Sequence, residues 1–230
     1  MKRSPQQRCR VVAVDVGAVR RNFAWASLDL PGTGVSEAGT NPEGAAQAVH
    51  QAVADDVPVA LGFEAPIMVP VSSVDEPNGW QTLGKARKGE SDDGQSRPWS
   101  AGAGSGALAT GLVQLAWVLE RVSSLSGGLR CTTQADVWLK AEAELFIWEA
   151  FVSGPGKPAP AGATQHAADA AAAGDTFAAR LAEARLASSD VTCDASSFNL
   201  AAAAAGYAGL SIPGDEIRQP VHVYRTQPAA

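Results

Sequence analysis

The chain is poor in the residues that build zinc knuckles and disulfide frameworks. Its three cysteines, Cys9, Cys131 and Cys193, are far apart and form no CxxC pair. Both structures are thereby excluded, and a reducing, cytoplasmic compartment is expected. Histidine is equally scarce: His50 and His222 stand in no constellation, which leaves only His166 near other candidate groups. No long basic run exists. The formal charge is −6 and the pI about 5.1, whereas a protein that wraps duplex nucleic acid carries a basic face. Broad, non-specific duplex binding is disfavoured, but a small substrate or a single-stranded or branched nucleic acid stays open. The small clusters Lys2, Arg3, Arg8 and Arg10, then Arg20 and Arg21, then Lys85, Arg87 and Lys88 are expected to be solvated surface charge. No uninterrupted apolar run approaches the ~18–20 residues of a membrane span, so no membrane partner is expected. The opening MKRSPQQRCR leads into a strand-like run, not a signal-peptide core. There is no internal repeat, and the oligomeric state is left open.

What is present suits one globular domain. Hydrophobic residues make up 46% of the 230 and charged residues 18%, enough for a single core with at most one insertion. Arg10 to Val16 is a β-branched run closed by Asp15 and Gly17. Phe23 to Leu30 follows across a short polar link, and the two read as a hairpin. A short third strand is expected at Thr33 to Ala38. Asn41-Pro42-Glu43 starts a helix that runs to about Asp55: a capping side chain, proline in the first turn, then an acid at the positive end. Pro58 to Phe63 is a buried strand ending at Glu64.

Residues 68–106 turn rich in Pro, Gly, Ser and charge, with Trp80 and Trp99 embedded, and read as a loop insertion or lid. Helical spacing returns from Gly106 to Leu125. Leu145 to Val152 is a strand, followed by the linker-like SGPGKPAPAG. Thr164 opens an alanine-rich helix to about Ala187. Asp194 to Ser197 caps a last helix, Phe198 to Leu210, and Val221 to Arg225 closes as a strand. Three antiparallel strands followed by alternating helix and strand is the order of an RNase H-like mixed α/β sheet flanked by helices, spanning residues 1–230 as one domain.

Two carboxylates end apolar strands. Asp15 and Glu64 sit where an unpaired charge costs free energy, and this topology makes their strands neighbours. Like charges so placed call for a cation between them, commonly a divalent metal holding water and a phosphate. On the helix from Thr164, a 100° advance per residue places His166, Ala173, Phe177 and Leu181 in one stripe. Asp169 falls at its edge and Asp175 on the solvent side. His166 is a candidate proton shuttle beside Asp169. The glycine-rich run Arg97 to Gly106 matches neither a Walker A nor a GxGxxG spacing, and reads as a flexible lid tip rather than an anion site. Trp148 and Glu149 are expected to serve packing and a strand-end contact.

VVAVDVG, GFEAPIMVP, RPWSAGAG and HAADAAAAGDTF together resemble the bacterial family of predicted RNase H-like nucleases, and more distantly the Holliday-junction resolvases. The resemblance implies Mg²⁺- or Mn²⁺-dependent phosphodiester hydrolysis by Asp15, Glu64 and a third carboxylate from the C-terminal helices. It also expects an Asp where this chain has Asn199. Either Asp169 is the third ligand, or the site is degenerate and the protein is a binding or regulatory module of the same fold. A phosphotransferase of the sugar kinase–actin type shares the opening Asp-x-Gly hairpin, but needs two such domains.

Overall fold

The computed structural model describes residues 4–91, 98–160, 164–193 and 196–227. Lys2, Arg3, Arg97 and Asp194, singled out above, lie outside them. The chain is an α/β structure. A seven-stranded mixed sheet is built from β1 (Cys9–Asp15), β2 (Ala24–Leu30), β3 (Glu37–Gly39), β4 (Val59–Phe63), β6 (Cys131–Thr132), β7 (Leu145–Phe151) and β9 (Val223–Arg225), with helices on both faces. The order is β3-β2-β1-β4-β7-β6, and β9 also pairs with β7. β1, β2 and β3 are antiparallel, whereas β4, β6, β7 and β9 run parallel with their neighbours. A two-stranded ribbon, β5 (Met68–Pro70) with β8 (Ser197–Asn199), stands beside it.

The alternation of side chains along a strand sorts the core into two. Val12 and Val14 of β1, Leu61 and Phe63 of β4 and Ile147 of β7 point toward α1 (Pro42–Ala54), α2 (Gly102–Ser126) and α5 (Leu200–Tyr207). Val11, Ala13, Ala60, Phe146 and Trp148 point the other way, toward α3 (Ala135–Leu139) and α4 (Gln165–Ala182). Each fully buried valine or leucine contributes about 1.5–3 kcal/mol, so a one-residue slip of β1 would invert both faces and is strongly disfavoured.

The helix starts follow local chemistry. Asn41 Oδ1 accepts from Gly44 N at 2.7 Å to cap α1, Thr164 Oγ1 accepts from Ala167 N to cap α4, and Asn199 Oδ1 accepts from Ala202 N at 2.8 Å to cap α5. Gly174 sets how closely α4 lies: a Cβ there would overlap Leu28 of β2.

Several expectations are corrected. The third strand is Glu37–Gly39, not Thr33 to Ala38, because Ser36 and its neighbours first serve the turn: Ser36 N donates to Ser27 O and its hydroxyl accepts from Asp29 N. The last helix begins at Leu200; Phe198 and Asn199 belong to β8, where partnering with β5 outweighs helical spacing. The alanine-rich helix ends at Ala182. Gly102 to Gly106 lie inside α2 and are not a lid tip. α2 is also long and apolar enough, by length and composition alone, to cross a membrane. Scattered Gly, Ser and Gln hide this from a count of uninterrupted apolar residues. Its Leu115, Val118, Leu119 and Val122 are buried in the core.

The insertion is anchored at its centre. Arg87, expected as surface charge, has a side chain with no exposed area and forms a bidentate pair with Glu149 of β7 at 2.7 and 2.8 Å. Burial lowers its tendency to hold the proton, but the charges and hydrogen bonds of Glu149 and Glu90 outweigh this and raise its pKa overall. Trp80 is exposed, and Trp99 donates its indole N–H to Lys85 O.

Candidate metal centre

Asp15 ends β1 and faces the α4 side, because it shares the parity of Val11 and Ala13. Glu64 follows β4 directly. Its N–H donates to Val14 O at 2.8 Å, which extends the parallel β1–β4 register by one residue. Two residues earlier, Gly62 leaves room for the Trp148 ring, which a Cβ would strike. On the opposite side of the sheet a Cβ on Gly111 would overlap Ala65, so α2 presses directly on the segment after Glu64.

Above the strand ends lies the first turn and a half of α4. Asp169 is 1% exposed, and Asp15 and Glu64 are each 5% exposed. One carboxylate oxygen from each of the three lies within 4.8 Å of the other two. The structure thus brings together the three carboxylates expected from sequence. It also places Asp169 deeper than the edge of the helical stripe suggested, because the Gly174 contact draws α4 onto β2.

The surrounding groups complete the centre. His166 Nδ1 meets Asp15 Oδ2 at 2.5 Å, with a third of the His166 side chain exposed. His166 thus contacts Asp15, whose carboxylate is clustered with that of Asp169 one turn further along α4. Gln165 Nε2 donates to Asp169 Oδ1 at 2.7 Å, and Lys157 Nζ pairs with Asp169 Oδ2 at 2.8 Å. Partial burial pulls the Lys157 pKa down. Its hydrogen bond to Asp169 and the charges of Asp169, Glu64 and Asp15 outweigh that, and the ammonium is held more firmly than usual.

Sequence reading missed Lys157 and Gln165. The i, i+4 spacing of Gln165 and Asp169 on one helix face was an available signal. Lys157, in a Pro/Gly loop without periodicity, had none.

The remaining candidates lie elsewhere. Asp175 is exposed. Asn199 is fully buried, and its Nδ2 donates to Thr133 Oγ1 and Glu216 O at 2.8 and 3.0 Å. It belongs to a network in which the Glu216 carboxylate accepts from Thr132 and Thr133. The amide there is a cap and a donor, and the carboxylate that lies with Asp15 and Glu64 is that of Asp169. His50 meets Ser126. His222 is packed against Phe146 and Tyr224, and burial lowers its pKa. A groove of about 540 Å³ along the β5–β8 ribbon, lined by Val71, Phe198 and Ile217 among others, contains none of the triad.

The donor set fits a hard divalent cation. Three carboxylates and no thiolate or neutral imidazole within the triad suit Mg²⁺ or Mn²⁺ rather than zinc. Buried like charges this close are costly without such a counter-ion. Compared with known protein families, curated proteins and solved structures, the chain matches none.

Proposed function

We propose that this chain is a metal-dependent hydrolase of the RNase H-like type, acting on a phosphodiester in single-stranded or branched nucleic acid. The observation that carries the reading is the convergence of Asp15, Glu64 and Asp169 from two adjacent parallel strand ends and a facing helix. The mixed sheet, with its antiparallel opening and parallel continuation, supports the same reading. Asp15, Glu64 and Asp169 would hold Mg²⁺ or Mn²⁺, which when bound polarises a phosphate and acidifies a bound water. The sheet register keeps Asp15 and Glu64 side by side, and the α4–β2 contact brings Asp169 to them, so the ligands are arranged before substrate arrives. His166, hydrogen-bonded to Asp15 and partly exposed, is placed to take up and release a proton at the edge of the site.

The acidic balance of the chain favours a second reading, a module of the same fold that binds metal without cleaving. One assay separates the two. Purified protein is incubated with single-stranded and branched oligonucleotides, with and without Mn²⁺, beside Glu64→Gln. Metal-dependent cleavage absent in the variant supports the hydrolase. Metal binding without cleavage of any substrate transfers the conclusion to the binding module. Failure of millimolar Mn²⁺ to raise the melting temperature rejects the metal centre.

A further inference from the structure

The turn that follows Asp15 carries two adjacent cations, Arg20 and Arg21, both exposed. β1 and β2 stay in register up to the Asp15–Ala24 pair, so the turn leaves the sheet at the same edge as the candidate metal centre. It is held from within and from one side. Ala18 O accepts from Arg21 N at 2.7 Å and from Asn22 N at 2.8 Å, and a Cβ on Gly17 would overlap Asn22. From α2, Gln114 donates its side-chain amide to Gly17 O, while Gly111 lets the helix press on Val16 and Ala65. This closed, anchored turn fixes where the two arginines leave the backbone.

Elsewhere the chain uses its basic side chains on its own acids. Arg10, Arg121, Arg130 and Arg180 each pair with a carboxylate, and Lys157 pairs with Asp169. Among the described residues, the Arg20 and Arg21 side chains meet no carboxylate and make no hydrogen bond. A polyanion approaching a chain of net charge −6 is repelled overall, and most of all at three gathered carboxylates. A local pair of cations at that edge offsets the repulsion where the phosphates must lie. The guanidinium fork also matches phosphate oxygens two at a time.

Resting on the nucleic-acid reading above, we propose that the Arg20–Arg21 turn is a phosphate clamp, which holds the backbone of a single strand beside the phosphodiester to be cleaved. The contact is to phosphate and not to bases, so it sets where the strand lies without reading its sequence. Both arginines bind substrate, and neither takes part in the chemistry at Asp15, Glu64 and Asp169.

The test is fluorescence anisotropy of a fluorescein-labelled single-stranded oligonucleotide titrated with the full chain over a range of salt. It is run in EDTA and again with Ca²⁺, with circular dichroism to show that each variant is folded. The proposal expects Arg20→Gln/Arg21→Gln to bind at least about tenfold more weakly at low salt. The plot of log affinity against log salt should also flatten by roughly 1.4, about 0.7 for each lost contact. Arg20→Lys/Arg21→Lys keeps the charge and should keep the slope. Arg8→Gln/Arg185→Gln removes the same charge from the far end of the molecule. Arg8 precedes β1, and α4 runs about 27 Å away from the centre before Arg185. That pair should bind within about twofold of wild type, because charges beyond a screening length act little on the strand. Equal weakening in the two Gln pairs means that net charge alone acts, and overturns the proposal. Wild-type affinity in Arg20→Gln/Arg21→Gln places the strand elsewhere and overturns it too, while the nucleic-acid reading stands. Wild type that binds the strand in neither condition removes both. If the double variant does not fold, Arg20→Gln and Arg21→Gln replace it singly, each expected to flatten the slope by roughly 0.7.

Discussion

Two clusters of buried acids sit at neighbouring strand ends on opposite faces of one sheet, and different groups reach them. On the α1–α2 side, Glu149 is directly opposite Phe63 in the β4–β7 register, yet its carboxylate is fully engaged. Arg87 reaches both of its oxygens, Ile67 N donates to one of them, and Arg87 also binds Glu90, which accepts from Trp99 N. On the α4 side, Asp15, Glu64 and Asp169 lie together, with Lys157 paired to Asp169 and His166 beside Asp15. The first cluster holds the insertion onto the sheet. The second gathers three carboxylates at one point, an arrangement whose oxygen donors suit a divalent cation. Parity along the strands separates the two: Glu149 and Glu64 differ by one step in register, and so face opposite ways.

Removing one partner from each cluster separates them most sharply. Arg87→Ala leaves Glu149 and Glu90 buried without a counter-charge and is expected to cost about 3–5 kcal/mol. Chemical denaturation measures this, and a loss under 1 kcal/mol would show that the insertion is not anchored there. On the proposed reading, Mn²⁺ would act on the other cluster. At a hundred times its Kd it should stabilise the native chain by about 2.7 kcal/mol. Asp15→Asn abolishes that gain, whereas Glu149→Gln, although destabilised, keeps it; thermal melts with and without metal decide, and a metal response lost equally in both variants would erase the distinction.

Without metal the two clusters should answer in opposite directions. Asp15→Asn relieves repulsion and leaves stability unchanged or higher by up to about 1 kcal/mol, while Glu149→Gln lowers it. Smaller still is the effect of His222, which belongs to neither cluster. Burial holds its folded pKa below the usual histidine value. As pH falls through that usual value the unfolded chain takes a proton that the native chain refuses, so stability drops there. His222→Phe is expected to flatten that part of the stability–pH curve, an unchanged slope being the contrary result. Asp175→Asn, on the exposed face of α4, serves as the reference and should change neither stability, within about 0.5 kcal/mol, nor the metal response.

How much of this was legible in the sequence follows from the range of each interaction. The β1 and β4 runs, the Asn41 cap and the placement of Asp15 and Glu64 at strand ends rest on neighbours a few residues apart, where apolar pattern and turn chemistry speak directly. The α4 periodicity reached Asp169 but underestimated its depth, because Gly174 acts through Leu28 in a strand far away in the chain. Arg87 looked like surface charge for the same reason. Its partner is 62 residues on, and nothing in KARKGE distinguishes a solvated arginine from one that closes a buried pair. Asn199 looked like a lost ligand because its partners, Thr133 and Glu216, approach it only once β6 and the turn at Gly214–Arg218 are in place.

By itself, then, the sequence determined the strands, the helix starts and the two carboxylates on β1 and after β4, since periodicity and capping are local properties of the chain. The tertiary structure alone decided which acids meet one another and which basic side chains reach them. Arg87 and Lys157 both come from irregular segments, and their ammonium and guanidinium groups find their carboxylates only after strand parity and helix packing have set the two faces of the sheet.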